Sequence, residues 1–296
     1  MIYTLGCSFT KWYWPTWSDW LGTYQGPVTN WAHPGYGNQL IHWVLLDRLD
    51  KLTPNDHVYI MWSENTRVPQ WYDSEWIDRN KCEEFFPQRK LWFSKDDAYL
   101  GLYRTHPDYQ FSLSHMIIDT FRTILETQQL LNSVGVKYTM MFMCNPWQDV
   151  RPIYKPTFSL QWPEKMEFSS KDQQNADKLL KLNPIVNLLG LIDWTKFVEN
   201  IDIFDPQSYT GLWEYYFSKK EFVLAKHNTD PHPNVLVHHD YLLEKIFRQN
   251  PHKGTLRNKA KQLATELVDM SIPIWNTGNF IGSPETQFLD KEKYGL

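Results

Sequence analysis

Short apolar segments alternate with amphipathic helical patterns along the chain, and this alternation constrains the fold more than any other feature. The apolar segments have the length and the β-branched or aromatic content of buried strands, and they are Ile2 to Leu5, His57 to Trp62 and Val136 to Met143. Two clear helical patterns separate them, Gln39 to Lys51 after a predicted Asn38 cap and Ser112 to Ser133. Such an alternation predicts an α/β fold in which helices cover both faces of a parallel sheet.

Weaker patterns complete this prediction. Two further short strands are expected near Val28 to Ala32 and Ile201 to Phe204, which gives a sheet of about five strands. Further helices are expected over three segments, Asp172 to Leu182, Val235 to Gln249 and Thr255 to Met270.

The 296 residues suit one enlarged domain better than two full ones. Insertions are predicted at about 68–110 and 145–170, with a C-terminal extension at about 251–296. Aromatic residues make up 16% of the chain, with 15 Trp, and they accumulate in the insertions. Those rings fit equally well a wall that stacks on sugar rings and a second small core.

Composition and cysteine spacing exclude several classes of partner. A net charge of -4 without a basic run argues against nucleic acid, and no apolar run approaches the roughly 20 residues of a membrane span. Cys7, Cys82 and Cys144 are too scattered for a disulfide framework or a zinc site, which favours a reducing interior. No secretory signal precedes the first strand, so we expect a cytoplasmic protein. We also expect no cofactor and no metal.

A first candidate site follows the first predicted strand. The turn Gly6-Cys7-Ser8-Phe9-Thr10 places the Ser8 hydroxyl where a nucleophile can be exposed between backbone N–H groups. The same turn also fits a Ser cap for a helix near Trp17, or a nest that holds phosphate. Cys7 is a rival nucleophile, but no cation near it in sequence would lower its thiol pKa, and we interpret it as a small buried side chain.

A second candidate site is the turn Asp230-Pro231-His232-Pro233-Asn234. It holds a carboxylate and an imidazole in one rigid segment, as the orienting acid and general base of a catalytic triad require. Taken alone, the same residues also fit a proline-rich turn with a surface His232. Coexistence with the Ser8 turn favours the catalytic interpretation.

Four short blocks resemble the SGNH (GDSL-like) hydrolase family, in the family's order, between about Ile2 and Arg248. Gly6 to Thr10 is similar to the first block, in which Ser8 matches the nucleophile. Asp230-Pro231-His232 resembles the last block, one residue shorter than the usual D-x-x-H, in a D-x-H-P form associated with phage and environmental sequences. The resemblance makes Ser8, Asp230 and His232 the catalytic triad.

The two middle blocks supply the oxyanion hole that the resemblance implies. Asn30 to Asn38 is similar to the second block, in which a Gly donates its N–H, and Gly35 fits that position with Gly37 as a rival. Ser63-Glu64-Asn65-Thr66 looks like the third block, G-x-N-D, with Asn65 as the amide donor, although the block's Gly and Asp are replaced. The Ser8 N–H would be the third donor.

The resemblance implies a three-layer α/β/α flavodoxin-like sandwich that hydrolyses small acyl esters through an acyl-enzyme. A glycan carrying O-acetyl groups, or another small-molecule ester, is the expected substrate. The altered blocks and the aromatic excess leave a second interpretation open, a binding or virion-assembly protein on the same scaffold. Arg67 and Asn145 lie beyond predicted strand ends without an assigned role, and the isolated histidines are expected to be structural.

Overall fold

A parallel β-sheet of four strands organises the protein. The computed structural model describes residues 1–12, 14–33, 36–65, 67, 69–71, 91–93, 99–102, 113–149, 168–219, 232–253 and 256–269. Within these ranges the strands are β1 (Ile2–Leu5), β2 (Val28–Asn30), β3 (His57–Trp62), β4 (Pro69–Trp71), β5 (Leu91–Phe93), β6 (Tyr99–Leu102) and β7 (Lys137–Phe142). The main sheet has the order β2-β1-β3-β7. The α/β prediction is thereby confirmed.

The register of the main sheet aligns the carboxyl ends of its strands. Leu5 pairs with Ile60, while Trp62, two residues further along β3, pairs with Phe142 at the end of β7. The central strands are buried and apolar, as expected for parallel strands that are covered on both faces. The turns that follow β1, β3 and β7 therefore meet at one edge, where sites form in sheets of this kind.

The predicted strand at Ile201 to Phe204 is wrong. That segment is a turn, and the place next to β7 is taken by two isolated parallel bridges, Met140 with Phe197 and Phe142 with Gly211. The Asp202 carboxylate accepts a hydrogen bond from the Phe204 N–H at 3.0 Å, and a strand would need that N–H for its ladder. The described residues therefore form four strands in the main sheet, where about five were expected.

The described helices are α1 (Trp17–Gln25), α2 (Asn38–Asp47), α3 (Leu113–Ser133), α4 (Ser170–Leu179), α5 (Asn183–Leu191), α6 (Leu212–Ser218), α7 (Val235–Tyr241) and α8 (Arg257–Asp269). They pack in two groups: α3 contacts α2 and α5, whereas α7 contacts α1, α6 and α8. Two helical groups around one parallel sheet are consistent with a three-layer α/β/α arrangement. The helix expected over Asp172 to Leu182 ends earlier, and α5 begins anew with Pro184 in its first turn.

Asn38 does not cap α2 as predicted. Gly37 is the N-cap, and Asn38 is the first helical residue with a buried side chain. Its amide accepts a hydrogen bond from the Ser63 N–H at 2.7 Å and donates to the Thr120 hydroxyl at 3.1 Å. Asn38 thus connects the end of β3 to α2 and α3.

The predicted insertions and C-terminal extension fall largely outside the described residues. Strands β4, β6 and β5 of the 68–110 insertion form a small antiparallel sheet. Residues 72–90, 94–98, 103–112, 150–167 and 270–296 lie beyond the described ranges, so the predicted aromatic wall stays a prediction. Among the described residues, by contrast, most Trp side chains are core residues, including Trp14, Trp17, Trp20, Trp62, Trp147 and Trp213.

Candidate functional site

Gly6 ends β1 with a backbone that other residues do not adopt easily. Its φ is +157°, and a Cβ there would lie 2.1 Å from the Thr10 Oγ1 and 3.1 Å from the Met61 carbonyl oxygen. The chain then closes a helical turn, because the Cys7 carbonyl accepts hydrogen bonds from the N–H groups of Thr10 (2.9 Å) and Lys11 (3.1 Å). This turn fixes Ser8 immediately past the carboxyl end of β1.

The Ser8 hydroxyl is buried without a hydrogen bond. The residue is 1% exposed, and its Oγ has no partner among the residues that the structure describes. Because a buried unpaired hydroxyl costs about 1 to 3 kcal/mol, such groups in a native protein call for a reason, and a catalytic role is one.

His232 lies beside the Ser8 turn. Its ring stacks on Trp12 with 3.6 Å between centroids and 22° between planes, and it meets Phe9, the residue after Ser8, at 5.2 Å. The Trp14 indole N–H donates to the Pro233 carbonyl at 2.9 Å, which joins this turn to the segment that follows Ser8. His232 is 7% exposed. The fold thus places His232 against two residues of the segment around Ser8, whereas the Ser8 Oγ forms no hydrogen bond to the described His232 ring.

The other predicted site residues have different outcomes. Asn65 is buried after β3, where its amide N–H donates to the Pro146 carbonyl at 2.7 Å and its Oδ1 has no described partner. This geometry leaves one of the two amide protons for a ligand. Asp230 and Gly35 lie outside the described residues. The rival Gly37 packs against Arg67, since a Cβ at Gly37 would come within 2.2 Å of the Arg67 carbonyl oxygen.

A buried ion pair that sequence reasoning missed lies at the same edge. The Arg67 Nε is 2.8 Å from the Glu64 Oε1, and both side chains are almost fully buried. Arg67 also donates to the Tyr36 carbonyl at 3.3 Å, while the second carboxylate oxygen of Glu64 has no described partner. Arg67, left without a role by the sequence, therefore binds Glu64 and links β3 to the segment before α2.

Glu214 is a second buried carboxylate that was missed. It accepts hydrogen bonds from the N–H groups of Gly211 (2.8 Å) and Asn145 (3.0 Å), so it connects the start of α6 to the turn after β7. Burial raises its pKa to about 7 despite those two donors. The Gly-x-x-Glu spacing at the start of α6 resembles a helix-capping pattern and was a usable signal.

His238, on α7, is the third missed residue. The side chain is completely buried, and neither ring nitrogen has a hydrogen-bond partner among the described residues. Burial and then the nearby His232 lower its pKa to about 3. His238 is therefore a neutral imidazole next to His232 at physiological pH.

The described residues also bear on the predictions about the cysteines and about metal binding. Cys7 is fully buried with its Sγ 3.4 Å from the Met143 Sδ, as expected for a packing side chain. Burial, followed by the charge of Glu214, raises the pKa of Cys144. Across the described ranges, no group of three or more His, Cys, Asp or Glu side chains is arranged to hold a metal ion.

Comparisons with known proteins assign neither a family nor a function to the chain. No family model matches it, and no curated protein matches it. Within the described ranges, no helix has the length and apolar content needed to cross a bilayer. The geometry of the site is therefore the basis for proposing a function.

Proposed function

We propose that this protein is a serine esterase that hydrolyses small acyl esters, O-acetyl groups on a carbohydrate among them, on a flavodoxin-like scaffold. The observation that carries the proposal is a buried, unpaired Ser8 hydroxyl beside the ring system that holds His232. Ser8 is the nucleophile, His232 the general base, and Asp230 the carboxylate that orients it.

The first step forms an acyl-enzyme. The Ser8 Oγ attacks the ester carbonyl while His232 takes its proton, and the same proton then goes to the leaving alcohol. A water molecule, activated by His232, releases the acid in the second step. Asp230 fixes the tautomer of His232 and stabilises the imidazolium.

Three donors are assigned to the oxyanion. They are the Ser8 N–H, the Gly35 N–H and the second amide proton of Asn65. The Asn65 assignment is supported by its position after β3, where the bond to Pro146 holds the amide in place. Loss of one such donor typically costs about 3 to 4 kcal/mol of barrier, so Asn65→Ala is expected to lower kcat by roughly two to three orders of magnitude.

The decisive experiment is labelling with a fluorophosphonate probe. Wild-type protein and Ser63→Ala are expected to be labelled, whereas Ser8→Ala is not. Ser63 is the matched control because it is another buried serine with an unpaired hydroxyl, at the end of the adjacent strand β3. Absence of labelling in all three proteins, each shown to be folded by circular dichroism, would reject the hydrolase.

A specific observation favours a second candidate, a non-catalytic binding or virion-assembly protein. The Ser8 Oγ is closed off from solvent and is not hydrogen-bonded to the described His232 ring. An active serine hydrolase needs a proton acceptor for this hydroxyl and a path for the ester. The binding protein predicts no reaction with fluorophosphonate and no release of p-nitrophenol from p-nitrophenyl acetate by folded protein.

A further inference from the structure

The indole of Trp12 covers one face of the His232 ring. The two centroids are 3.6 Å apart at 22°, which is a flat stack, and both residues are almost completely buried. Phe9 meets His232 at a tilt of 53° and a longer centroid distance of 5.2 Å. Trp12 is itself held by an edge contact with Trp14 at 6.3 Å. The indole is thus the aromatic ring in closest face-to-face contact with His232 among the described contacts.

A flat stack of this kind discriminates between the two charge states of an imidazole. The face of an indole carries negative electrostatic potential, which attracts a cation much more strongly than a neutral ring. Exclusion of water strengthens the attraction, and the effect at a desolvated site is on the order of tenfold to thirtyfold in an equilibrium constant. No other described ring stacks on His232 in this way.

The proposed reaction makes His232 cationic twice. In acylation the Oγ–H bond of Ser8 breaks as its proton moves to His232 and the Oγ–C bond forms, and the proton leaves His232 when the alcohol departs. In deacylation His232 takes a proton from the attacking water and returns it to the Ser8 Oγ as the acyl group leaves. An interaction that strengthens with the imidazolium is therefore stronger in the transition state than in the resting enzyme, which is the condition for raising kcat. Among the described residues, His238 of α7 is a titratable side chain that interacts electrostatically with His232.

From this geometry we infer that Trp12 is a positioning residue that stabilises the His232 imidazolium of the proposed esterase through its π face. The inference rests on the proposed function and deepens it. It assigns a role to a residue outside the four sequence blocks, within the turn segment that follows Ser8.

Site-specific fluorination of Trp12 tests this role without changing its shape much. Mono-, di-, tri- and tetrafluorotryptophan progressively remove negative potential from the indole face. The logarithm of kcat for p-nitrophenyl acetate is expected to fall linearly along the series, by roughly tenfold in total, with KM nearly constant. A kcat that stays constant across the series would overturn the inference, because packing alone does not follow ring electronics.

Trp20 supplies the matched control. It is also a buried Trp against an imidazole, but it meets His239 by its edge, at 5.0 Å and 82°, and has no role in the proposed reaction. The same fluorinated series at position 20 is expected to leave kcat unchanged. Equal decreases at both positions would assign the Trp12 effect to general perturbation and overturn the inference.

An NMR titration of the His232 ring separates this inference from the proposed function. Tetrafluorination of Trp12 is expected to weaken proton binding by the His232 ring relative to the wild type, whether or not the protein hydrolyses esters. An unmoved midpoint overturns the cation–π contact itself. A moved midpoint in a protein that neither hydrolyses esters nor reacts with fluorophosphonate rejects the esterase, and the catalytic role of Trp12 with it.

Discussion

Two adjacent imidazoles on α7 belong to regions of opposite character. His239 is bonded at both ring nitrogens: the Nδ1 is 2.8 Å from the Asp240 Oδ1, and the Nε2 is 2.9 Å from the Tyr24 hydroxyl. Asp240 in turn accepts hydrogen bonds from the Arg257 guanidinium, the shortest at 2.7 Å. We call these four residues, Tyr24, His239, Asp240 and Arg257, the α8 anchor, since they attach α8 to α7 and α1.

The described polar groups around His238 lack the hydrogen-bond partners that surround His239. Neither ring nitrogen of His238 is paired with a described residue, and several other buried polar atoms at the carboxyl edge of the sheet are also unpaired: the Ser8 Oγ, the Ser63 Oγ, the Glu64 Oε2 and the Asn65 Oδ1. Apart from the half-buried Tyr24, the named residues of both regions are buried, so burial alone does not distinguish them. Their hydrogen bonding does.

Because of this difference in hydrogen bonding, we expect the two regions to contribute differently to the stability of the fold. A fully paired buried network stabilises one arrangement of its helices, whereas each unpaired buried group destabilises the fold by about 1 to 3 kcal/mol. Ligand binding and catalysis are among the reasons for which a protein retains such groups. The comparison predicts that substitutions in the α8 anchor lower stability, while removal of polar groups at the sheet edge does not.

The largest effect is expected from Arg257→Met. This change leaves the Asp240 carboxylate buried without its cation, which typically costs about 3 to 5 kcal/mol. Urea denaturation would measure the free energy of unfolding, with Lys261→Met as the control, since Lys261 is an exposed cation on the same helix. A loss below about 1 kcal/mol, as for a surface ion pair, would show that the α8 anchor contributes little to stability.

Protonation of Glu214 should change the free energy of unfolding by a similar amount, in a pH-dependent way. Its folded pKa of about 7 lies above the ordinary value, so the proton it binds stabilises the fold at low pH, and that contribution is lost as the pH rises from about 4.5 to about 7. Relative to Glu214→Gln, the wild type is expected to lose about 3 kcal/mol of unfolding free energy between pH 4 and pH 8. A difference that does not change with pH would show that Glu214 titrates alike in the folded and unfolded chain.

Tyr24→Phe is a milder test of the α8 anchor. It removes one hydroxyl bonded to His239 and keeps the ring, so about 1 kcal/mol of unfolding free energy should be lost. Thermal unfolding followed by circular dichroism would detect this loss. Reaction of Ser8 with fluorophosphonate should keep its wild-type rate, and a slowed reaction would show that the two regions are coupled.

The smallest effect is expected from Ser8→Ala. Its hydroxyl has no described partner, so the unfolding free energy should stay within about 0.5 kcal/mol of wild type or rise slightly. Ser18→Ala is the matched comparison, because the Ser18 hydroxyl is 2.7 Å from that of Thr4 and its loss should cost about 1 kcal/mol. A large destabilisation by Ser8→Ala would identify a structural role for the hydroxyl.

The sequence predicted those parts of the fold that periodicity encodes. The strands β1 and β3 have the predicted bounds, and α3 ends at the predicted Ser133, because each has a clear apolar pattern. The error near Ile201 arose where β-forming residues compete with Asp202, whose carboxylate closes a local turn. Local hydrogen bonding of this kind is invisible to periodicity.

The candidate site was only partly predictable. Ser8 and His232 were singled out by short motifs, and the structure places the His232 ring against Phe9, the residue after Ser8. The Trp12 stack and the Glu64–Arg67 pair depend on tertiary contacts that no spacing rule specifies. Asp230 and Gly35, outside the described residues, stay predictions.

The hydrogen bond from Trp14 to Pro233 joins positions that are 219 residues apart in the chain. Loops of that length close slowly compared with local helices and turns, so this junction is expected to form late in folding. During synthesis, a ribosome must also have made most of the protein before Pro233 emerges to accept the indole proton. In the proposed esterase, Ser8 and His232 would then come together only near the end of synthesis, so partly made chains should be inert toward esters.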